Sequence, residues 1–140
     1  MSIHRAETDE QIAACFAVMR QLRPQLTTAE FVPWVQAQTS AGYRLVYCEA
    51  DGQAVSVAGY RVIENLAWGR FLYVDDLVTD EHHRSQGQGD RLFEWLVAEA
   101  KQLGCGELHL DSGVQRFAAH RFYLRHRMDI TSHHFAMKLG

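Results

Sequence analysis

The chain has 140 residues, of which 47% are hydrophobic, so it is long enough to bury one substantial core and is predicted to be a single domain, 1–140. Its formal net charge of −3 at neutral pH excludes the basic surface that nucleic-acid binding requires. No apolar run approaches the roughly 20 residues of a membrane span, no signal-peptide segment opens the chain, and the three widely spaced cysteines form no disulfide framework, so a cytoplasmic location is expected.

Two capping signals predict helices in the first third of the chain, after an initial strand. Residues 8–11 (Thr-Asp-Glu-Gln) are a capping box, and apolar residues at helical spacing follow them. Residues 27–30 (Thr-Thr-Ala-Glu) repeat this signal before a second amphipathic segment. Pro33 lies too late for a first helical turn, so this second helix is predicted to be kinked or short.

Three antiparallel strands are predicted in the middle of the chain. Residues 43–50 and 54–63 are two apolar segments joined by Asp51-Gly52, which is typical of a two-residue hairpin turn. Residues 70–79 form the third strand, which is rich in β-branched and aromatic residues.

A glycine-containing loop, residues 84–89 (Arg-Ser-Gln-Gly-Gln-Gly), lies between this strand and an amphipathic helix over residues 87–103. Backbone N–H groups at the start of a helix are unpaired and lie at the positive end of the helix dipole, which favours a phosphate or pyrophosphate. The alternative is a simple tight turn. A P-loop lysine is missing, and Leu92 stands where a dinucleotide fingerprint requires its third glycine.

The last third of the chain predicts a strand at residues 107–111, a helix near residues 116–125 and a closing strand at about residues 130–139. Together the elements predict an α/β (α+β) fold in which about four helices flank a mixed, mostly antiparallel central sheet.

The loop order of arginine, two residues, glycine, one residue and glycine resembles the pyrophosphate loop of the GNAT superfamily of acyl-CoA-dependent N-acyltransferases. Residues 74–78 resemble the central splayed strand of that family, residues 108–111 the strand beside it, and residues 119–123 its late helix. The resemblance covers about residues 43–138. It implies the GNAT fold and an N-acetyltransferase that uses acetyl-CoA as co-substrate, with direct transfer to a primary amine and no metal.

The resemblance also implies which residues hold acetyl-CoA. In the family, backbone N–H groups of the loop bind the pyrophosphate, and the strand before the loop pairs with the pantetheine arm. Carried over position by position, the predicted cofactor-binding residues are Leu77, Val78, Arg84, Gln86, Gly87, Gln88 and Gly89.

Three residues are candidates for the chemistry. Tyr123 stands at the position of the family's general acid, and a phenol with an ordinary pKa of about 10 is protonated at neutral pH; the alternative is core packing. Asp75 and Asp76 are adjacent in a strand, so alternation predicts that one of them faces the acyl site. That carboxylate could accept the amine proton, the alternative being a salt bridge to an arginine such as Arg61 or Arg70.

Other features are interpreted without a catalytic role. The doublets His82-His83 and His133-His134 lack the spaced partners of a zinc site, so no metal is predicted. Arg116 replaces an asparagine that many members of the family use toward the cofactor. Arg127 stands where a glycine is common, so it is expected to adopt the backbone conformation of that glycine.

The acceptor stays open at this stage. A small-molecule amine is the preferred acceptor, and a protein or peptide N-acetyltransferase or a non-catalytic acyl-CoA-binding sensor are the alternatives. The adjacent carboxylates favour a cationic amine over an anionic acceptor. Residues 20–40 and 65–69 are expected to set specificity, and a homodimer, which many relatives form, is an open alternative.

Overall fold

The structure is a computed structural model that describes residues 2–84 and 86–140. It divides into two compact units, Met1–His109 and Leu110–Gly140. The first unit contains most of the sheet and all helices except the last, and the second contains the last helix and the C-terminal segment. The single domain over the whole chain therefore stays a prediction.

One five-stranded sheet organises the fold, with the strands in chain order across it. The first three pairings are antiparallel, and the last strand is reached through a helix, which makes the sheet mixed. This confirms the predicted mixed, mostly antiparallel α/β fold. The strands are β1 (Ser2–Arg5), β2 (Arg44–Ala50), β3 (Gln53–Asn65), β4 (Gly69–Thr79) and β5 (Glu107–Leu110).

The turn between β2 and β3 has the predicted two residues. Asp51 and Gly52 both have positive φ, 52° and 76°, and Ala50 is paired with Gln53 across the turn. Two successive positive φ angles give the turn the twist that an antiparallel hairpin needs, and the Asp-Gly sequence tolerates them. The predicted hairpin is confirmed.

The first predicted helix is present but divided at Cys15 into α1 (Asp9–Ala14) and α2 (Phe16–Leu22). The predicted capping box is confirmed, because the Thr8 hydroxyl accepts the Gln11 N–H at 3.1 Å and the Gln11 side chain accepts the Thr8 N–H at 3.1 Å. This reciprocal pair fixes where the chain leaves β1 and enters the helical layer.

Helix α3 (Thr28–Ser40) begins after Thr27, whose hydroxyl accepts the Glu30 N–H. Of the two predicted alternatives, a short helix is wrong, because the helix continues beyond Pro33 for a total of 13 residues, and a kink at Pro33 stays a prediction. Phe31 and Val35 are 3% and 6% exposed. We attribute the continuation to this burial, which offsets the single hydrogen bond that proline removes.

Helices α1, α2 and α3 pack against one face of the sheet. Alternation along β2 places Leu45 and Tyr47 in this core, together with Val57 of β3. Val46 and Cys48, both fully buried, belong to the opposite face of β2. Helix α4 (Gln88–Gln102) contacts β2, β3 and β4 and buries Leu92, Phe93, Leu96 and Ala100. The sheet of the first unit is therefore covered by helices on both faces.

A buried carboxylate attaches α4 to the sheet. Glu99, 6% exposed, accepts a hydrogen bond from Arg5 at 2.8 Å and another from the Tyr60 hydroxyl at 2.7 Å. Burial alone would raise the pKa of Glu99, but these two donors outweigh it and lower the pKa below its usual value. The ionised carboxylate therefore holds α4 to β1 and β3, which fixes the position of the helix that follows the glycine loop.

The second unit differs from the sequence prediction. Helix α5 (Phe117–Arg125) is present as expected, but residues 126–140 contain no strand, so the predicted closing strand is wrong. Phe135, Met137 and Leu139 alternate and are at least 82% exposed. Alternating apolar residues give an extended segment one apolar side, but a strand also needs a neighbouring strand to pair with its backbone. Arg127 has φ of 67°, the left-handed conformation expected of it.

None of the helices in residues 2–84 and 86–140 is long and apolar enough to cross a membrane.

Candidate active site

A β-bulge in β4 sets the geometry of the two candidate carboxylates. In the pairing of β3 with β4, Gly59 is opposite Asp76 and Tyr60 is opposite Val74, so Asp75 is an extra residue on β4. An extra residue breaks the alternation of side chains along a strand. Asp75 and Asp76 consequently line the same cavity. The prediction that the two side chains point to opposite faces is therefore wrong, whereas which of them faces the acyl site stays a prediction.

This cavity, of about 420 Å³, lies in the first unit between the helical layer and β4. Its walls come from α2, from the segment that follows it, from α3, from Tyr43, which precedes β2, and from β4. The lining residues are Met19, Arg23, Gln25, Leu26, Phe31, Trp34, Val35, Gln38, Tyr43, Tyr73, Asp75 and Asp76. They include residues of the 20–40 segment, from which acceptor specificity was expected.

Asp76 has hydrogen-bond partners on both carboxylate oxygens. Arg23, which follows α2, donates from Nε to Oδ1 at 2.9 Å, and the Tyr43 hydroxyl donates to Oδ2 at 2.8 Å. Arg23 also donates from Nη2 to the backbone carbonyl of Asp75 at 2.9 Å. These bonds hold Asp76 rigidly and join the helical layer to the bulged part of β4.

Asp75 is paired less completely. Arg61 of β3 donates from Nε to Oδ2 of Asp75 at 2.7 Å and from Nη2 to Gln38 at 2.8 Å. The salt bridge to Arg61 considered from the sequence is therefore present, whereas Arg70 contacts Glu64 at 3.4 Å. Burial raises the pKa of the Asp75 carboxyl above its usual value, and the Arg61 ion pair offsets that rise in part.

A glycine makes room for the Tyr43 contact. A Cβ atom at Gly59, which is opposite Asp76, would lie 1.8 Å from the Tyr43 hydroxyl oxygen. Burial and the negative charge of Asp76 raise the pKa of Tyr43 well above its ordinary value, so the phenol is a neutral donor. The sequence analysis missed Tyr43. An isolated glycine inside a strand pattern is a signal of close approach, so Gly59 could have indicated that a group packs against β3 here, but not that this group is Tyr43.

The segment before the glycine loop is held by α2. Gln21 donates to Asp80 at 2.8 Å and accepts the Glu81 N–H at 3.0 Å. His83 contacts the other oxygen of Asp80 at 2.8 Å, so this histidine of the 82–83 doublet is engaged with a carboxylate. Within the described residues, no group of three or more His, Cys, Asp and Glu side chains is arranged to hold a metal ion.

The predicted pyrophosphate loop ends at the start of α4. Arg84 is extended and exposed, and Ser85 lies outside the described residues. Gly87 is the residue before the helix and has φ of 85°, the left-handed region that favours glycine. It has no side chain to cap the helix, so no side chain of the N-cap residue accepts a hydrogen bond from the first N–H groups of this 15-residue helix. This donor set fits a pyrophosphate.

Gln88, one of the predicted cofactor-binding residues, has a buried side chain. Its side chain is 4% exposed, and its Nε2 donates to Gln86 at 3.2 Å. In the part of the chain that the structure describes, Gln88 Oε1 has no hydrogen-bond partner. The buried Gln88 side chain therefore helps to order the loop. Gln88 itself would contribute to anion binding through its backbone N–H group.

The end of β4 provides an edge beside the loop. Gly106 donates to the carbonyl of Arg70 at 2.9 Å, which places the beginning of β5 beside the beginning of β4. Because β5 has four residues and β4 has 11, β5 ends before it reaches Leu77 and Val78. On their other side these two residues pair with β3. An extended ligand could pair with this edge as an added strand does.

Tyr123 lies in α5, in the second unit. Burial raises the pKa of its phenol above the ordinary value, and the charge of Arg116 offsets part of that rise. Tyr123 is therefore protonated at neutral pH, as a proton donor must be. His120, three residues earlier, contacts the Gly113 carbonyl at 2.8 Å, so it is engaged with the backbone. The catalytic role of Tyr123 stays a prediction.

Comparisons with known proteins agree on one family. A model of the Acetyltransferase (GNAT) family matches residues 6–127. The N-acetyltransferase YhdJ of Bacillus subtilis, described as uncharacterized, is 29% identical over 115 residues, which cover 81% of each chain.

Two solved structures share the fold. A putative acetyltransferase from Agrobacterium tumefaciens has a TM-score of 0.85 at 21% identity, covering 99% of this chain and 100% of the other. An aminoglycoside antibiotic 6′-N-acetyltransferase from Acinetobacter baumannii has a TM-score of 0.82 at 17% identity, covering 99% and 97%. At these identities the structures show a common architecture, whereas the family model matches most of the sequence. The chain belongs to the GNAT family of acetyltransferases.

Proposed function

We propose that the protein is an N-acetyltransferase that transfers the acetyl group of acetyl-CoA directly to a primary amine of a small molecule. The observation that carries this proposal is the β-bulge, which brings both Asp75 and Asp76 to the same cavity. Both carboxylates belong to the strand that leads into the glycine loop and that carries Leu77 and Val78, for which β3 is the strand partner within the described part of the first unit. A proton acceptor for the amine, an edge for an extended ligand and an anion-binding helix start are thus parts of one continuous segment.

The cofactor-binding residues are proposed from this segment. The backbone N–H groups of Gln86, Gly87, Gln88 and Gly89 would hold the pyrophosphate, with the exposed Arg84 guanidinium beside it, and Leu77 and Val78 would pair with the pantetheine arm. Bound acetyl-CoA supplies the thioester that is attacked. No further group is needed on the chain to carry the acetyl moiety.

Asp75 is the proposed proton acceptor for the attacking amine. Its side chain has the Arg61 ion pair on Oδ2, whereas both oxygens of Asp76 are engaged. The amine attacks in its neutral form, after its ammonium proton has passed to solvent. When the amine nitrogen forms its bond to the acetyl carbon, the proton that it then loses passes to Asp75 directly or through water. The carbon–sulfur bond breaks, and the Tyr123 phenol donates a proton to the departing thiolate. Asp76 positions the bulge and does not move a proton.

The burial of Cys15 and Cys48 disfavours an acyl-enzyme route through either of these two thiols. Cys15 and Cys48 are fully buried, and burial raises the pKa of both thiols, that of Cys15 to about 12. A thiol in such surroundings is protonated and a poor nucleophile. Neither cysteine is therefore suited to form a thioester with the acetyl group.

The size of the cavity favours a small acceptor. A volume of about 420 Å³ falls within the roughly 300–1,000 Å³ that is typical of pockets for small ligands. A protein or peptide acceptor is the alternative, and it would need an extended groove. A non-catalytic acyl-CoA sensor would not need the paired carboxylates inside the cavity.

Two measurements test the proposal. Thiol release from acetyl-CoA is followed over a panel of amines, amino acids and peptides, and calorimetry measures the affinity for CoA. We expect thiol release that depends on a small amine. Binding of CoA without transfer to any acceptor would support the sensor, and preference for peptides would support the protein acetyltransferase.

A Gly87→Val variant tests the loop. At φ of 85° a β-branched side chain is strained, so the loop conformation changes and CoA affinity is expected to fall by about 10-fold or more. Gly104→Val is the matched control, because Gly104 has φ of 75° and follows the opposite end of the same helix. Unchanged CoA affinity in Gly87→Val, or an equal loss in Gly104→Val, would contradict the assignment of the loop.

A further inference from the structure

The cavity contains carboxylates that are already neutralised by the protein. Asp75 is paired with Arg61 at 2.7 Å and Asp76 with Arg23 at 2.9 Å. The four side chains carry two negative and two positive charges, so the group is neutral as a whole. The adjacent aspartates that suggest an anionic pocket from the sequence therefore provide no surplus negative charge.

The remaining lining residues do not add negative charge. Gln25 and Gln38 are uncharged, and no other acidic side chain lines the cavity. The rest of its wall is apolar or aromatic, formed by Met19, Leu26, Phe31, Trp34, Val35, Tyr43 and Tyr73. This wall suits a hydrocarbon or aromatic body, and its rings can also contact a single ammonium group.

Arg23 places a fixed positive charge in the wall of the cavity. Its guanidinium lines the cavity and is held by Asp76 and by the Asp75 carbonyl. The reacting amine attacks in its neutral form, because its ammonium proton leaves for solvent before the bond to the acetyl carbon forms. A second ammonium group would keep its charge inside a neutral cavity, near the Arg23 guanidinium, and like charges in a partly desolvated site repel.

We propose that the acceptor of this enzyme is a monoamine, a single primary amine on an apolar or aromatic body, and that Arg23 excludes diamines, polyamines and aminoglycosides. This inference rests on the proposed function, since it concerns the acceptor of the same reaction.

Matched amines test the proposal in the wild-type protein. Pentylamine and 1,5-diaminopentane have the same chain length and differ in one terminal ammonium group, and phenethylamine adds an aromatic body. With thiol release as the assay, we expect kcat/KM for pentylamine and phenethylamine to exceed that for 1,5-diaminopentane by about 10-fold or more. Equal or better use of the diamine overturns the monoamine proposal and leaves the proposed function intact. Failure of every amine to react refutes the proposed function itself.

Two arginine variants locate the cause. Arg23→Gln removes the charge that neutralises Asp76, so the preference for the monoamine should shrink through a lower KM for the diamine. Arg20→Gln also removes one positive charge, but Arg20 lies over the Phe16 ring and does not line the cavity. The preference for the monoamine should therefore stay in this variant. An unchanged preference in Arg23→Gln, with CoA affinity as in the wild type, contradicts the role of Arg23. If Arg23→Gln does not fold, the comparison of amines in the wild-type protein decides the proposal.

Discussion

The two carboxylates of the bulge differ in their bonding, so replacing each with asparagine should give opposite results. Asp76→Asn removes the charge that accepts hydrogen bonds from Arg23 and Tyr43, both at 2.9 Å or less. Asp75→Asn removes one ion pair, with Arg61. We expect the first change to reduce stability mainly and the second to reduce turnover mainly.

The magnitude for Asp76→Asn follows from its partners. Hydrogen bonds to a charged group contribute about 1.5–3 kcal/mol each, but the Arg23 side chain is 41% exposed, and exposed ion pairs contribute at most about 1 kcal/mol. The Tyr43 hydroxyl is buried, and asparagine can satisfy one of the two donors. We therefore expect the free energy of unfolding to fall by about 1–3 kcal/mol, the lower value if asparagine accepts from Tyr43 and the upper if it accepts from Arg23.

The raised pKa of Asp75 determines how this residue affects folding stability as the pH changes. Burial raises the folded-state pKa of Asp75, so ionisation of Asp75 costs stability. Below the unfolded-state pKa this cost is absent, and it is complete once the pH has risen through the folded-state pKa. Asp75→Asn removes the cost together with the Arg61 pair, so the net change in stability at neutral pH should be within about 1 kcal/mol.

Turnover, in contrast to stability, should fall more in Asp75→Asn than in Asp76→Asn. Loss of a general base reduces the rate by about 10²-fold or more, so Asp75→Asn should lose that factor in kcat/KM with unchanged CoA affinity. In the wild type, the acidic limb of the kcat/KM profile should lie at a higher pH than an ordinary aspartate gives, and Asp75→Asn should abolish that limb. Urea unfolding followed by circular dichroism and thiol release measure the two effects. Wild-type kinetics in both variants would show that the pair is structural, and a larger loss of turnover in Asp76→Asn at unchanged stability would reverse the roles.

Two further predictions follow from single side chains. Gly59→Ala places a Cβ atom against the Tyr43 ring, so the free energy of unfolding should fall by about 1–3 kcal/mol. Gly106→Ala is its control, because the nearest atom to a Cβ there is 4.0 Å away. Equal urea midpoints for the two variants would refute the clash. Tyr123→Phe keeps the ring and removes the proton donor, so turnover should fall by about 10²-fold with little change in acetyl-CoA affinity; wild-type turnover would mean that water or another group protonates the thiolate.

Local features of the fold could be predicted from the sequence because few neighbouring residues produce them. The Thr8–Gln11 capping box closes within one helical turn, and Asp51-Gly52 makes its hairpin turn from its own backbone angles. Gly87 precedes a helix at the expected place, with the positive φ that glycine tolerates. The resemblance to the GNAT family arose from this same local segment, and the family match confirms it.

The acceptor site depended on long-range contacts that no local pattern indicates. Alternation along β4 predicted that Asp75 and Asp76 point apart, but the pairing with β3 inserts Asp75 as an extra residue and brings both to one cavity. Arg23 reaches Asp76 across 53 residues of sequence. The alternating segment near residues 130–139 likewise satisfies a strand pattern without a strand partner. Register, pairing and charge balance are properties of two segments at once, and the sequence of either segment alone therefore does not determine them.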